Sequence, residues 1–175
     1  NNQEMRNAVS TNNTRKLLNL CTESEEFLSA TNRRVKTLRL DHHELVLRFF
    51  AFYRIYDFEE KKVNYQNSNI VDLLNDENEK LNKIISQETL SQYLEIFKNS
   101  MSRCFELFGD KGFVKVSYNE EIEQYEYSML INKPLFSAFS VILANRKYEE
   151  YNFKNYSHIA LAKLSQKLKD PNNFM

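Results

Sequence analysis

Residues 45–56, with the sequence LVLRFFAFYRIY, are apolar on nearly every face of a helix. A helix without a polar face must be covered on several sides, so it belongs at the centre of a fold. Asp41 stands three residues before Glu44, which is the spacing of a capping box and predicts Asp41 as the N-cap. We therefore predict a central helix over residues 42–56.

Helices are favoured in the rest of the chain as well. The 175 residues include only two glycines and two prolines, whereas all-β folds need these residues at their turns. Apolar residues at spacings of three and four predict amphipathic helices with a cap at Gly109 and an N-cap at Asn132. The polar stretch NDENEK, residues 75–80, is a candidate break in one of them. The predicted helices cover residues 2–9, 14–21, 24–30, 70–85, 86–108, 132–143 and 155–169.

One stretch has a different period. FVKVSY and YEYSML alternate polar and apolar residues and are rich in β-branched and aromatic side chains, which predicts one small β-hairpin near residues 113–130. The fold class is therefore mainly α, a single helical-bundle domain over residues 1–175. The sequence starts at Asn1 in helix-like sequence, so we expect a domain excised from a larger protein.

Charge and composition limit the function classes. Lys+Arg and Asp+Glu are 24 each, so any contact with phosphate has to come from a local cluster. The longest uncharged apolar stretch, residues 135–144, is shorter than the roughly 20 residues of a membrane span. Cys21 and Cys104 lack the spacing of a metal or redox motif, and we expect buried thiols in a reducing cytoplasm.

No catalytic or metal site is predicted within this sequence. Glycines occur only at 109 and 112, so neither a P-loop nor a dinucleotide-binding loop can form. His42 and His43 are adjacent and point about 100° apart on a helix, so they cannot share one metal. His158 has no acid–base partner near it in the sequence. We interpret all three as ordinary structural residues.

Arg48 lies inside the predicted central helix, where an unpaired charge would be too costly. Glu44, one helical turn earlier, is its local candidate partner, and we predict a buried Glu44–Arg48 charge pair. Two roles remain open at this stage. The arginine belongs either to a structural ion pair or to a contact with a ligand or a neighbouring domain.

The connector before that helix, residues 31–40, is basic. Its four cations, next to the positive end of a helix, could hold a phosphate or contact DNA. Aromatic residues, which usually stack on single strands, are missing from the connector. A solvated loop is therefore the alternative. The four cations are Arg33, Arg34, Lys36 and Arg39.

Three segments resemble a known bacterial family. The opening NQEMRNA is similar to an LN-x-QE-(L/I)-RNA segment, residues 44–52 (ELVLRFFAF) to an ELVLRFLAF helix, and residues 108–113 with INKPLF to an F…F…iNkalFdal stretch. That family has a ParB/sulfiredoxin-like N-terminal domain marked by a DGQQR motif. It includes the GmrSD-type modification-dependent restriction enzymes.

The resemblance covers the family's helical domain, and neither DGQQR nor an HNH-like pattern occurs in this sequence. It implies that nucleotide hydrolysis and DNA cleavage, with a nucleoside triphosphate and a divalent metal, belong to the parent protein. No cofactor is implied for this segment. The ParB-like catalytic domain of the same parent chain is the implied partner. We place four residues at the contact with that catalytic domain or at the border of its nucleotide pocket: Gln3, Glu4, Arg6 and Asn7. The alternative is that these residues only cap the first helix and hold it in place.

These expectations combine into one leading hypothesis, a cytoplasmic helical accessory domain of a restriction or antiphage-defence NTPase-nuclease, with DNA contact as a further expectation. A stand-alone helical protein-interaction module is the alternative. A small hydrolase is the third reading, and it is the weakest because no nucleophile–base pair is evident. No contact with a membrane is expected.

Overall fold

The computed structural model describes residues 1–65, 69–84, 86–119, 121–157, 159–160 and 163. The predicted class, mainly α with a small β-hairpin, is confirmed. Seven α-helices lie in the described part of the chain, and short 3₁₀ turns precede α4, follow α6 and follow α7. The helices are α1 (Asn2–Val9), α2 (Asn12–Glu23), α3 (Glu25–Ala30), α4 (Asp41–Ile55), α5 (Ile70–Asn82), α6 (Gln87–Phe108) and α7 (Lys133–Leu143).

Local chemistry sets most of the helix ends. A side-chain oxygen at the N-cap accepts a hydrogen bond from a backbone N–H of the first turn in all of α1, α2, α3, α5, α6 and α7. At the end of α6, Gly109 has a φ of +58°, a left-handed conformation that glycine adopts without strain. These signals are readable in the sequence, which is why the predicted helices lie close to the observed ones.

The prediction that Asp41 caps α4 is wrong. Arg39 and Leu40 both have positive φ, 58° and 60°, so the chain turns sharply before the helix and Leu40 occupies the N-cap position without a side-chain cap. Asp41 already has helical angles. Its carboxylate therefore faces a tertiary partner, Lys133 Nζ at 3.4 Å.

The candidate break in α5 does not occur, since α5 is continuous across residues 75–80. Two polar residues of this stretch, Glu77 and Asn78, are buried and paired with other elements. Asn78 Oδ1 accepts a hydrogen bond from Ser10 Oγ at 2.9 Å. A polar run on a helix is thus part of the interior here, because each buried group has a partner.

Two antiparallel hairpins flank the bundle. The predicted one consists of β3 (Val114–Asn119) and β4 (Gln124–Ile131), with a register shift between Val114 and Val116. A second, very short hairpin pairs β1 (Tyr56–Asp57) with β2 (Lys62–Val63), between α4 and α5. The predicted helix over residues 155–169 falls largely outside the described residues.

Helix α4 lies at the centre of the fold, as predicted, and packs against α1, α2, α5 and α7. Six of its residues have at most 1% of their surface exposed. The core next to it is aromatic: the rings of Phe49 and Phe97 are 5.1 Å apart and those of Phe27 and Phe97 are 5.9 Å apart. Cys21 and Cys104 are both buried free thiols, which confirms their predicted burial.

Candidate functional site: a charge cluster between two clefts

Charged side chains from two helices meet beside the first half of α4. Arg48 Nε lies 2.9 Å from Glu44 Oε1, and Lys133 Nζ at the start of α7 lies 3.0 Å from the same oxygen. Burial alone would raise the pKa of Glu44, but the hydrogen bonds from Lys133 and Arg48 outweigh burial and lower it. Glu44 is therefore a carboxylate that accepts hydrogen bonds from two cations. We call Asp41, Glu44, Arg48 and Lys133 the charge cluster.

Arg6 of α1 adds a third cation to this region. Only 4% of its surface is exposed, and its guanidinium is held by neutral groups: Asn75 Oδ1 at 2.8 Å and Gln3 Oε1 at 3.2 Å. Burial lowers the pKa of Arg6, the charge of Glu44 raises it, and the charge of Arg48 lowers it. Arg6 thus lies within electrostatic reach of the charge cluster without an ion pair among the described residues.

An apolar cleft of about 450 Å³ opens on one side of the charge cluster. Its wall is almost wholly hydrocarbon, and among the described residues that line it Arg48 alone carries a charge. Four elements supply the wall, so only the tertiary fold assembles it. The lining residues are Arg48 and Phe52 of α4, Tyr56 and Val63 of the β1–β2 hairpin, Ile70 of α5, and Pro134, Ser137, Ala138, Val141 and Ile142 of α7.

A smaller basic cleft, about 200 Å³, lies between the connector, the start of α4 and the end of β4. Three cations line it, Arg34, Lys36 and Lys133, with Asp41 as the one carboxylate among its described lining residues. Arg34 Nη2 lies 3.6 Å from Asp110 Oδ2, while its Nη1 is buried without a hydrogen-bond partner in the described part of the chain.

The four cations of the connector do not converge. Arg34 and Lys36 share the basic cleft, whereas Arg33 lies 3.0 Å from Glu25 in an exposed ion pair elsewhere. Arg39 is exposed, and its carbonyl accepts a hydrogen bond from the side chain of Asn1. The third cation of the cleft, Lys133, was missed by the sequence reasoning because it follows the connector by almost a hundred residues.

The four opening residues divide into two groups. Glu4 forms a capping box with Asn1 and is exposed at the surface. Gln3 and Arg6 are buried, and Arg6 Nη2 donates a hydrogen bond to the carbonyl of Val71 in α5 at 3.4 Å. Gln3 Nε2 and Asn7 Oδ1 are buried without a hydrogen-bond partner among the described residues.

Two apolar side chains of α1 are exposed to solvent. Met5 and Val9 of α1 are 63% and 71% exposed, and they border a cleft of about 280 Å³ between α1 and α5. Both side chains lie on one short helix beside the same cleft. We call Met5, Val9 and this cleft the α1 face.

His42 and His43 are adjacent in the first turn of α4. His43 is 5% exposed, and burial lowers its pKa to about 4, so it is neutral at pH 7. Its ring lies 4.3 Å from that of His42. Within the described ranges no group of three or more His, Cys, Asp or Glu residues is arranged to hold a metal ion. His158 lies outside the described residues.

Comparison with protein-family models, with curated proteins and with solved structures finds no match for this chain. Among the helices of the described residues, none combines the length and the apolar character that crossing a membrane requires.

Proposed function

We propose that this chain is a helical accessory domain of a bacterial restriction or antiphage-defence protein. In the cytoplasm it would support a catalytic domain that hydrolyses a nucleoside triphosphate with a divalent metal and cleaves DNA. The chain itself would supply no catalytic residue. Its role would be to hold the catalytic domain, to help position DNA, and to relay the state of the catalytic domain to an effector.

One observation carries this proposal: the three segments that resemble the restriction family lie together in space. Glu44 of the second segment contacts Lys133 of the third at 3.0 Å, and Arg6 of the first lies within electrostatic reach of Glu44. The rings of Phe113 and Phe136, within the third segment, are 4.8 Å apart. Segments that recur in a family and meet in one place have a shared architectural reason to recur.

The α1 face is the surface we assign to the catalytic domain. Met5 and Val9 are exposed there, while the buried Arg6 joins α1 to Asn75 and to the carbonyl of Val71 in α5. Helix α1 is held on its inner side and exposes Met5 and Val9 on its outer side. A movement of a domain docked on these two residues can therefore be transmitted to α5 and α4. This arrangement supports a role in support and relay.

The test uses the natural full-length gene product that contains this chain. Its upstream sequence should encode the DGQQR motif. We expect Met5→Glu combined with Val9→Glu to lower nucleotide hydrolysis at least tenfold, because two charges would have to be desolvated at the interface. Ile122→Glu, at an exposed apolar position in the β3–β4 turn, is the matched control and should behave like the wild type. Full activity of the double variant would refute docking through the α1 face.

The basic cleft is the surface we assign to DNA. Binding to a DNA duplex should weaken steeply as salt rises, since cations on phosphates release condensed counterions. Lys36→Glu should weaken it further, whereas Lys83→Glu, exposed on the far end of α5, should not. Equal loss in both variants would mean that only diffuse charge attracts the DNA.

A second candidate function, a stand-alone protein-interaction module, is favoured by the apolar cleft. It predicts association that tolerates high salt, in contrast to binding at the basic cleft. It also predicts that the natural gene encodes no DGQQR domain. These two readouts separate the candidates.

A further inference from the structure

We propose that the apolar cleft binds a small amphipathic carboxylate, with an apolar body among the side chains of α4 and α7 and its carboxylate on the guanidinium of Arg48. This inference goes beyond the accessory-domain function, which assigns no ligand to the chain. The binding of a carboxylate does not depend on that function.

The size and the walls of the cleft suit a small ligand. At about 450 Å³ it falls in the range of small-molecule sites, which are mostly apolar with a few placed polar groups. Phe52, Tyr56 and Val141 offer aromatic and branched surfaces to an aliphatic or aromatic body. Burying such a body removes its apolar surface from water, which favours binding.

Arg48 supplies the polar contact. Its Nε is committed to Glu44 at 2.9 Å, and the described residues accept no hydrogen bond from its two terminal nitrogens. The side chain is 16% exposed and lines the cleft, and neither terminal nitrogen is among the buried atoms without a partner. Two free N–H groups on one edge of a guanidinium match the two oxygens of a carboxylate.

The surrounding charges favour a ligand with one negative charge. Three cations, Arg6, Arg48 and Lys133, lie around two carboxylates, Glu44 and Asp41, which leaves one positive charge in excess. Glu44 would repel an anion if it were alone, but its second hydrogen bond, from Lys133, offsets that charge. A phosphate dianion would be poorly matched, since among the described lining residues Arg48 is the one charged group and the others are apolar or hydroxylic.

The hydroxyl of Ser137 in the described wall of the cleft is already paired. Ser137, the remaining polar lining side chain apart from the tyrosine, donates its hydroxyl proton to the carbonyl of Lys133 at 3.0 Å. Among the described lining residues, Arg48 is therefore the one charged anchor for the ligand headgroup, and the orientation of the ligand follows from it.

Decanoate and decanol are the probes, titrated into the 175-residue chain by calorimetry at pH 7. Decanoate should bind at least tenfold more tightly than decanol, because its carboxylate gains a pair of charge-assisted hydrogen bonds that a neutral hydroxyl does not. Arg48→Met should remove that difference and leave decanol binding unchanged, and Arg48→Lys should restore part of it. Equal affinity for the two probes, or a difference that survives in Arg48→Met, would overturn the proposed headgroup contact.

Ala138→Trp tests the location, because an indole at this exposed position would occupy the cleft. It should abolish binding of both probes, whereas Ala8→Trp, at an exposed alanine of α1, should bind both like the wild type. Should Ala138→Trp not fold, methyl resonances of Val63 and Ile142 in the unaltered protein should shift on adding decanoate. Binding without those shifts, or undiminished binding by a folded Ala138→Trp, would place the site elsewhere.

Discussion

Arg54 of α4 donates two hydrogen bonds to the carboxylate of Glu77 of α5, from Nε to Oε2 at 2.6 Å and from Nη2 to Oε1 at 2.8 Å. The glutamate side chain is only 2% exposed, and the arginine also donates to Tyr93 Oη of α6 at 3.0 Å. The hydrogen bonds to Glu77 raise the pKa of Arg54. One guanidinium therefore joins three helices, and it explains how the polar middle of α5 can lie against the core.

Arg54→Met should destabilise the fold by about 3 kcal/mol, because it leaves the buried carboxylate of Glu77 without its cation. We take the lower end of the usual range since Arg54 itself is one-third exposed. Combining Arg54→Met with Glu77→Leu should recover most of the loss, as no buried charge then remains. Urea unfolding of the three proteins measures the free energies. Additive losses in the double variant would contradict this account.

The matched control for that experiment is the exposed pair of Arg33 and Glu25, in which the two side chains are 66% and 75% exposed. Arg33→Met should change the free energy of unfolding by less than about 1 kcal/mol, because water screens a surface pair.

Arg6→Ala should loosen α1. The guanidinium supplies hydrogen bonds to Asn75, to Gln3 and to the carbonyl of Val71, and their loss leaves acceptors unpaired. We expect faster hydrogen exchange at the amides of α1 and unchanged exchange in α6. Met5→Ala, a change at an exposed position on the same helix, should leave α1 protected. Unchanged protection in Arg6→Ala would mean that apolar packing alone holds α1.

The free energy of unfolding should decrease as the pH is lowered from 7 to 5. The folded-state pKa of His43 is about 4, below its ordinary value of 6.5, because burial disfavours the charged ring. The unfolded chain therefore takes up a proton first as the pH falls, so the contribution is complete above pH 6.5 and is lost towards pH 4. The slope should approach about 1.4 kcal/mol per pH unit.

Urea midpoints at several pH values measure that loss, and His43→Gln should flatten the curve between pH 7 and pH 5. Burial also lowers the pKa of the neighbouring His42, so some slope should persist in the variant. A curve as steep as that of the wild type would show that His43 is not responsible.

The two thiols should resist alkylation in the folded protein. Cys21 and Cys104 are buried, and burial raises the pKa of both, which suppresses the reactive thiolate. Mass spectrometry after iodoacetamide treatment should find no label under native conditions and two labels in urea. Rapid native labelling of either cysteine would contradict the packing around α2 and α6.

Local signals in the sequence predicted much of the fold. The N-cap at Asn132, the glycine at 109 and the three-four spacing of apolar residues all act within a few residues of one another. The Glu44–Arg48 contact is of the same kind, since one helical turn brings the two side chains together. Such features can be read in advance because their energies depend on neighbouring positions along the chain.

Two predictions failed for the opposite reason. Residues 75–80 look like a solvated break, and only the burial of Glu77 under Arg54 makes them interior helix. Asp41 looks like a cap, and only the approach of Lys133 from α7 shows what its carboxylate contacts.

The amino-acid sequence by itself determined the helices, the caps of most of them, the larger hairpin and the central position of α4, because local spacing and a helix apolar on all faces leave few alternatives. Tertiary structure alone decided the contact of Lys133 with Glu44, the apolar cleft and the inward turn of Arg6. Each of these joins residues separated by many positions in the chain. Pairings at that separation depend on how helices pack in three dimensions, and no local pattern records them.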